Sequence, residues 1–162
     1  MQKLMGCTLD YFRDLRYGQH AVKVFAYSWG IGTEEGLSQE DQAILQAAAL
    51  IHDIGIPEAL RLHGRADGPY QEAEGAKLAP RLLEQGEVDP RHWDRITWLV
   101  GHHHTGELAA GDPLLQILME ADYLVNMAEG RHPELDPKTV RDSFFRTRAG
   151  IRYLNGLYNL EA

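Results

Sequence analysis

Apolar residues recur at three- and four-residue spacing along most of the chain, which is the period of an α-helix with one buried face. Tyr17, Val24 and Tyr27 form one such stripe, and Leu118 and Val125 belong to another. Alternating apolar and polar runs flanked by hairpin turn pairs, which would indicate strands, do not stand out. The pattern therefore predicts an all-α chain of about six or seven helices.

Capping residues mark where several of these helices begin. Ser38 precedes an acidic residue at the third helical position, ahead of an Ala- and Leu-rich segment that ends near Asp53. Three more starts share an aspartate cap followed by proline in the first turn, at Asp89-Pro90, Asp112-Pro113 and Asp136-Pro137. Further helices are expected around 11–29 and 70–85, with Gly- and Pro-rich connections at 30–36, 64–69, 86–90, 105–113 and 130–137.

Length and charge limit the classes of protein that fit. The 162 residues suit one domain, 1–162, with a large enough core to fold without disulfides. A formal net charge of −8 argues against nucleic acid as the main partner. We expect a cytoplasmic protein that does not engage a membrane. Its one cysteine, Cys7, cannot form an internal disulfide, and the N-terminus does not resemble a signal peptide. The chain also lacks a run of roughly eighteen apolar residues that could span a membrane.

Ionisable residues lie on the apolar faces of four predicted helices. His20 falls within the stripe that contains Tyr17, and Asp122 falls within the stripe that contains Leu118. The pair His52-Asp53 ends the helix that Ser38 begins. A third stripe starts at Trp93 and continues through Ile96 and Val100 to His103, with His102 beside it.

Each of these ionisable residues alone could be an ordinary structural residue, but structural roles do not explain why all of them lie on apolar faces. A single histidine on an apolar face is usually a hydrogen-bonded core residue, whereas an aspartate is almost never buried unless it is paired. Two imidazoles and two carboxylates that meet at a divalent cation would offset one another's desolvation. We therefore predict a site for manganese, iron, nickel, cobalt or zinc, with magnesium as a further option, whose ligands are His20, His52, Asp53 and Asp122. Coordination positions left free would bind water and a substrate oxygen, which favours hydrolysis.

At these positions the sequence resembles the HD superfamily of metal-dependent phosphohydrolases. The resemblance rests on His20, on His52-Asp53 within HDIG and on Asp122 within LLQILMEADYLVNM, and it spans about residues 18–127. It implies a single all-helical HD-type domain. Within 1–162, the motif-bearing core is expected at about 18–127 and C-terminal helices at about 137–160. It also implies a catalytic role for His52 and Asp53 at the metal.

Two further segments resemble helices of bacterial HDIG proteins. YQEAEGAKLAPRLLEQ is similar to the helix after HDIG, and LVGHHHTG is similar to a later double-histidine helix. Members with two metals usually carry a histidine at the position of Gln71, so a second ion is expected to bind more weakly here. His102, His103 and Glu72 are the candidates for that second metal or for a substrate phosphate. The GYP motif of the superfamily's cyclic-di-GMP phosphodiesterases is missing, so that activity is not predicted.

The expected function is hydrolysis of small phosphoesters, with nucleotides favoured, by a metal-activated water. The enzyme would be a phosphomonoesterase or a phosphodiesterase. Two alternatives stay open: a regulatory HD module that binds a nucleotide or partner without turnover, and a di-iron HD-type oxygenase. A homo-oligomer is compatible with the sequence, and Arg131 and His132 are expected to lie on the surface.

Overall fold

The computed structural model describes residues 1–161, which fold into ten α-helices without a strand. This confirms the all-α prediction. The helices are α1 Gln2–Phe12, α2 Leu15–Glu34, α3 Gln39–Ile51, α4 Gly55–His63, α5 Gly68–Gln85, α6 Trp93–Val100, α7 Gly106–Ala109, α8 Pro113–Ala128, α9 Pro137–Phe144 and α10 Arg148–Tyr158. A 3₁₀ turn at Pro90–His92 precedes α6.

The residues predicted to cap helices form capping hydrogen bonds in the structure. The side chains of Ser38, Asp112 and Asp136 accept hydrogen bonds from backbone N–H groups in the first turns of α3, α8 and α9. Asp89 likewise caps a start, although the chain there makes a 3₁₀ turn before α6 begins. Side-chain oxygens satisfy N–H groups that a helix leaves unpaired at its N-terminus, which is why these boundaries can be predicted locally.

The helix count exceeds the prediction of six or seven for two reasons. Short helices such as α4 and α7 are hard to recognise from their apolar period. The helix expected at 11–29 is also divided, because Arg13 adopts a left-handed conformation with φ 47° that ends α1, and Asp14 caps α2.

The connection expected at 30–36 lies mostly inside α2, where two glycines permit close packing. A Cβ at Gly30 would lie 2.6 Å from the Tyr153 hydroxyl oxygen, and one at Gly32 would lie 2.4 Å from Gln42 Oε1. These glycines therefore make room for neighbouring side chains within a continuous helix, rather than ending it.

The core forms where α2 packs along α3 and α8. The last turns of α3, from Ala47 to Ile51, are fully buried or nearly so, and they carry His52 and Asp53 into the interior. The segment 39–63 is long and apolar enough to cross a membrane, but most of it is buried inside the protein. It is therefore accounted for as core.

The glycine of HDIG fixes how α4 meets α5. A Cβ at Gly55 would lie 1.9 Å from the Gln71 carbonyl oxygen and 2.5 Å from the Gly75 backbone nitrogen. Such separations are far inside van der Waals contact, so only glycine lets the two helix backbones approach this closely. This packing sets the position of Gln71 and Glu72 beside the site.

Candidate metal centre

His20 from α2, the pair His52-Asp53 at the end of α3, and Asp122 from α8 meet in the interior. His20 Nε2 lies 3.2 Å from His52 Nε2 and 3.0 Å from Asp122 Oδ1. Asp53 Oδ2 lies 3.5 Å from both Nε2 atoms. The four residues named from the sequence are therefore brought together, and none is more than 6 % exposed.

The histidine rings are held so that Nε2 faces the centre of the cluster. His20 Nδ1 donates to Glu129 Oε2 at 3.1 Å, and His52 Nδ1 donates to the Ala49 carbonyl at 2.9 Å. These acceptors place the proton of the neutral ring on Nδ1 and leave a lone pair on Nε2. Two Nε2 lone pairs cannot hydrogen-bond to each other across 3.2 Å, but they can share a cation.

The carboxylates of the cluster stay ionised. Burial alone would raise the pKa of Asp53 and of Asp122, but the neighbouring histidines outweigh burial and lower both pKa values well below the ordinary range. Burial opposes protonation of His52, yet the charge of Asp53 and the hydrogen bond and charge of Asp122 raise its pKa to about 9. Without a metal, a proton on His52 therefore partly neutralises the two anions.

Asp53 also belongs to a second group of ligand atoms, with His103 and His104. Its Oδ1 lies 3.6 Å from His103 Nε2, while its Oδ2 faces the first group. His103 Nδ1 donates to the Val100 carbonyl at 2.7 Å, and its buried Nε2 has no hydrogen-bond partner. Asp53 thus lies between the two groups, the first of which is formed by His20, His52 and Asp122.

The second histidine of this group is His104, not His102 as the sequence suggested. The ring of His102 stacks on Trp98 at 4.5 Å between centroids, and its Nδ1 donates to the Trp98 carbonyl. Helix α6 ends at Val100, so the helical period no longer applies to the turn that follows. Desolvation lowers the pKa of His104 to about 4, which leaves its ring neutral near pH 7.

Glu72 and Gln71 contact this second group in different ways. Glu72 Oε1 accepts hydrogen bonds from the His104 backbone N–H at 2.8 Å and from the Thr105 hydroxyl at 3.3 Å. The structure therefore gives Glu72 the position of a support for the turn that carries His104, outside both ligand groups. Gln71 contacts His104 Nε2 directly through its amide nitrogen.

Two residues beside the centre have no signal in the helical pattern. Glu129 receives the His20 hydrogen bond and also pairs with Lys23 Nζ at 2.9 Å. Arg131 is exposed, as expected, and it also places Nη1 3.9 Å from Asp53 Oδ2. Both follow the end of α8, where the chain turns. The apolar period does not extend there, so it could not place them.

A cleft of about 420 Å³ reaches the centre from solvent. Its walls include Asp53, Asp122 and His104, together with Gln71 and Arg131. A small anion could therefore reach the ligand atoms without opening the core.

The HD domain family matches residues 17–127, so the chain belongs to that family. The match begins before His20 and ends after Asp122, and it encloses both ligand groups. No curated protein and no solved structure is similar enough to match the chain.

The residues present suit a divalent transition metal. The three inward imidazoles and two carboxylates are N and O donors that such ions accept, and two negative charges balance one divalent ion. The unpartnered Nε2 of His103 supports the same conclusion, because a buried acceptor without a hydrogen bond is costly unless a cation satisfies it.

Proposed function

We propose that this chain is a metal-dependent phosphohydrolase that acts on small phosphoesters, with nucleotides as the favoured class. The observation that carries the proposal is the arrangement at the floor of the cleft. Three imidazoles have their Nδ1 atoms engaged by acceptors, so their Nε2 atoms point toward two ionised carboxylates that solvent can reach. We also propose that the protein acts in the cytoplasm without a membrane as a partner. Its net charge of −8 supports the further proposal that nucleic acid is not a partner.

In the proposed reaction, a water oxygen bonds to phosphorus as the phosphorus–oxygen ester bond breaks. The departing oxygen takes up a proton, so that a phosphate and an alcohol are the products. A divalent ion at this site would lower the pKa of a bound water and polarise a phosphoryl oxygen. Asp53 and Asp122 would supply the negative charge that retains the ion, and His20 and His52 would hold it through Nε2. Arg131 stands where it can contact a substrate oxygen.

The two ligand groups are expected to differ in affinity. His20, His52, Asp53 and Asp122 around the first group are all buried, whereas in the second group, Asp53, His103 and His104, both histidines lie in the turn after α6 and His104 is exposed. Gln71 adds at most a neutral amide oxygen to the second group, which is a poorer ligand than imidazole for transition metals. We therefore propose one firmly held ion and one that is more easily lost.

The test is a screen of nucleotides and general phosphoesters with manganese, nickel, cobalt, magnesium and zinc. Turnover with at least one metal is expected, and Asp122→Ala should abolish it while far-UV circular dichroism remains helical. His63→Ala is the matched control, because His63 pairs with Glu74 and belongs to neither ligand group. An Asp122→Ala protein that keeps wild-type activity and metal content would contradict the proposal.

One observation favours a different chemistry. A carboxylate shared between two ligand groups also suits a pair of irons, as in a di-iron HD-type oxygenase. Absorption bands of an iron centre in freshly purified protein, with no phosphoester turnover, would support this alternative. A regulatory module without turnover is less favoured, because such a module need not retain the whole ligand set.

A further inference from the structure

A second cleft of about 680 Å³ adjoins the metal-site cleft. The two share a wall formed by Ile56, Ala66 and Arg131. The second cleft also contains Arg16 and Lys23. We call the cleft bounded by Arg16, Lys23 and Arg131 the basic annex.

The basic annex concentrates positive charge in a chain whose net charge is −8. Lys23 Nζ and Arg131 Nε both pair with Glu129, at 2.9 Å and 3.3 Å. That carboxylate also accepts the hydrogen bond from His20. One anion therefore faces two permanent cations, and Arg16 at the rim has its own partner, Asp14. Arg131 also faces Asp53, whose charge a metal ion at the centre would balance, so that Glu129 alone would then oppose Lys23 and Arg131 and positive charge would remain for a ligand.

Arg131 connects the two clefts. Its Nη1 lies 3.9 Å from Asp53 Oδ2, while its Nε points to Glu129 in the annex. A guanidinium has five N–H donors in a planar fork, so donors remain for oxygens on either side. A phosphoryl group at the metal centre would lie next to Arg131, and a group attached to it would extend toward Lys23.

We propose that the basic annex binds a second phosphoryl group, so that the preferred substrates carry two or more linked phosphates. This deepens the proposed function and rests on it, because the first phosphoryl group is assigned to the metal centre. Arg131 contacts both groups, and Lys23 contacts the second. Monophosphates would use the metal centre alone and would be poorer ligands.

Binding can be tested without turnover, using methylenediphosphonate and methylphosphonate as hydrolysis-resistant probes with two phosphonate groups and one. Calorimetry on the purified, dialysed protein gives the ratio of their Kd values, and elemental analysis before and after titration checks that metal is retained. The diphosphonate is expected to bind at least about tenfold more tightly, the effect of one charge-assisted hydrogen bond. Lys23→Gln should lower that ratio about tenfold while changing the Kd of methylphosphonate less than about threefold.

Arg131→Gln should weaken both probes, and the diphosphonate more. Arg91→Gln is the control, since Arg91 is exposed and, among residues 1–161, forms an ion pair only with Asp89 two residues away. The proposed second phosphoryl site would be refuted if Lys23→Gln left the ratio of the two Kd values unchanged. It would also be refuted if the wild type bound both probes equally well. If the protein hydrolysed monophosphates but did not bind the diphosphonate more tightly, the annex proposal would be refuted and the proposed function would stand. If the protein bound the diphosphonate more tightly but hydrolysed no phosphoester, the proposed function would be refuted and the basic annex would remain a binding site.

Discussion

Glu129→Leu tests whether the orientation of His20 matters to the metal centre. Glu129 lies outside both ligand groups, but it accepts the Nδ1–H of His20, a residue that is 0 % exposed. Burial alone would raise the pKa of Glu129, but hydrogen bonds from Lys23 and His20 lower it, so the acceptor is an anion at neutral pH. Leucine has a similar size and cannot accept that hydrogen bond.

Two effects follow from this contact. A buried N–H without an acceptor costs about 1–3 kcal/mol, which corresponds to a Tm lower by roughly 2–12 °C for a domain of this size. Loss of the partner that orients a metal-binding histidine typically lowers metal affinity by about 10–100-fold, or about 1.4–2.7 kcal/mol. The metal deficit should therefore be measurable in protein that still folds.

The assay is metal affinity by competition with a chelator, alongside thermal unfolding. Glu129→Gln should stay within about threefold of the wild type in metal affinity, because an amide oxygen still accepts from His20. Glu84→Gln, an exposed acidic position elsewhere, controls for net charge. If Glu129→Leu binds metal as tightly as the wild type, His20 does not need this partner, and the assignment of Glu129 as a positioning residue is refuted.

Three further outcomes are expected. Asp53→Asn should lower the binding of both ions, because its two oxygens face different ligand groups, whereas Asp122→Asn should affect mainly the tighter one; equal effects in metal titrations would argue against a shared carboxylate. Gly55→Ala should lower the free energy of unfolding by about 3 kcal/mol or more, since its Cβ would lie 1.9 Å from the Gln71 carbonyl oxygen, and an unchanged denaturation midpoint would refute this packing. Because the metal-free pKa of His52 is raised to about 9 and a metal needs the neutral ring, binding near pH 7 must displace a proton. The apparent affinity for the metal should then rise with pH up to about 9. Calorimetry in buffers of different ionisation enthalpy should detect the released proton. Binding heats that do not depend on the buffer would argue against proton release.

The sequence by itself determined the fold class, several helix boundaries and the four residues that meet at the candidate metal centre. Aspartate and serine caps act on N–H groups two or three residues away, so Ser38, Asp112 and Asp136 mark helix starts without tertiary information. His20 and Asp122 could be recognised because each lies on an apolar face, and a buried carboxylate requires a partner.

Only the tertiary structure decided what lies beside those residues. His104, Glu129 and Arg131 follow the ends of α6 and α8, where the helical period stops and the direction of a side chain depends on the path of the turn. The sharing of Asp53 between two ligand groups likewise depends on distances of a few ångströms between α3 and the turn after α6. Local periodicity specifies which face a residue occupies, whereas the packing of distant helices specifies which atoms meet across it.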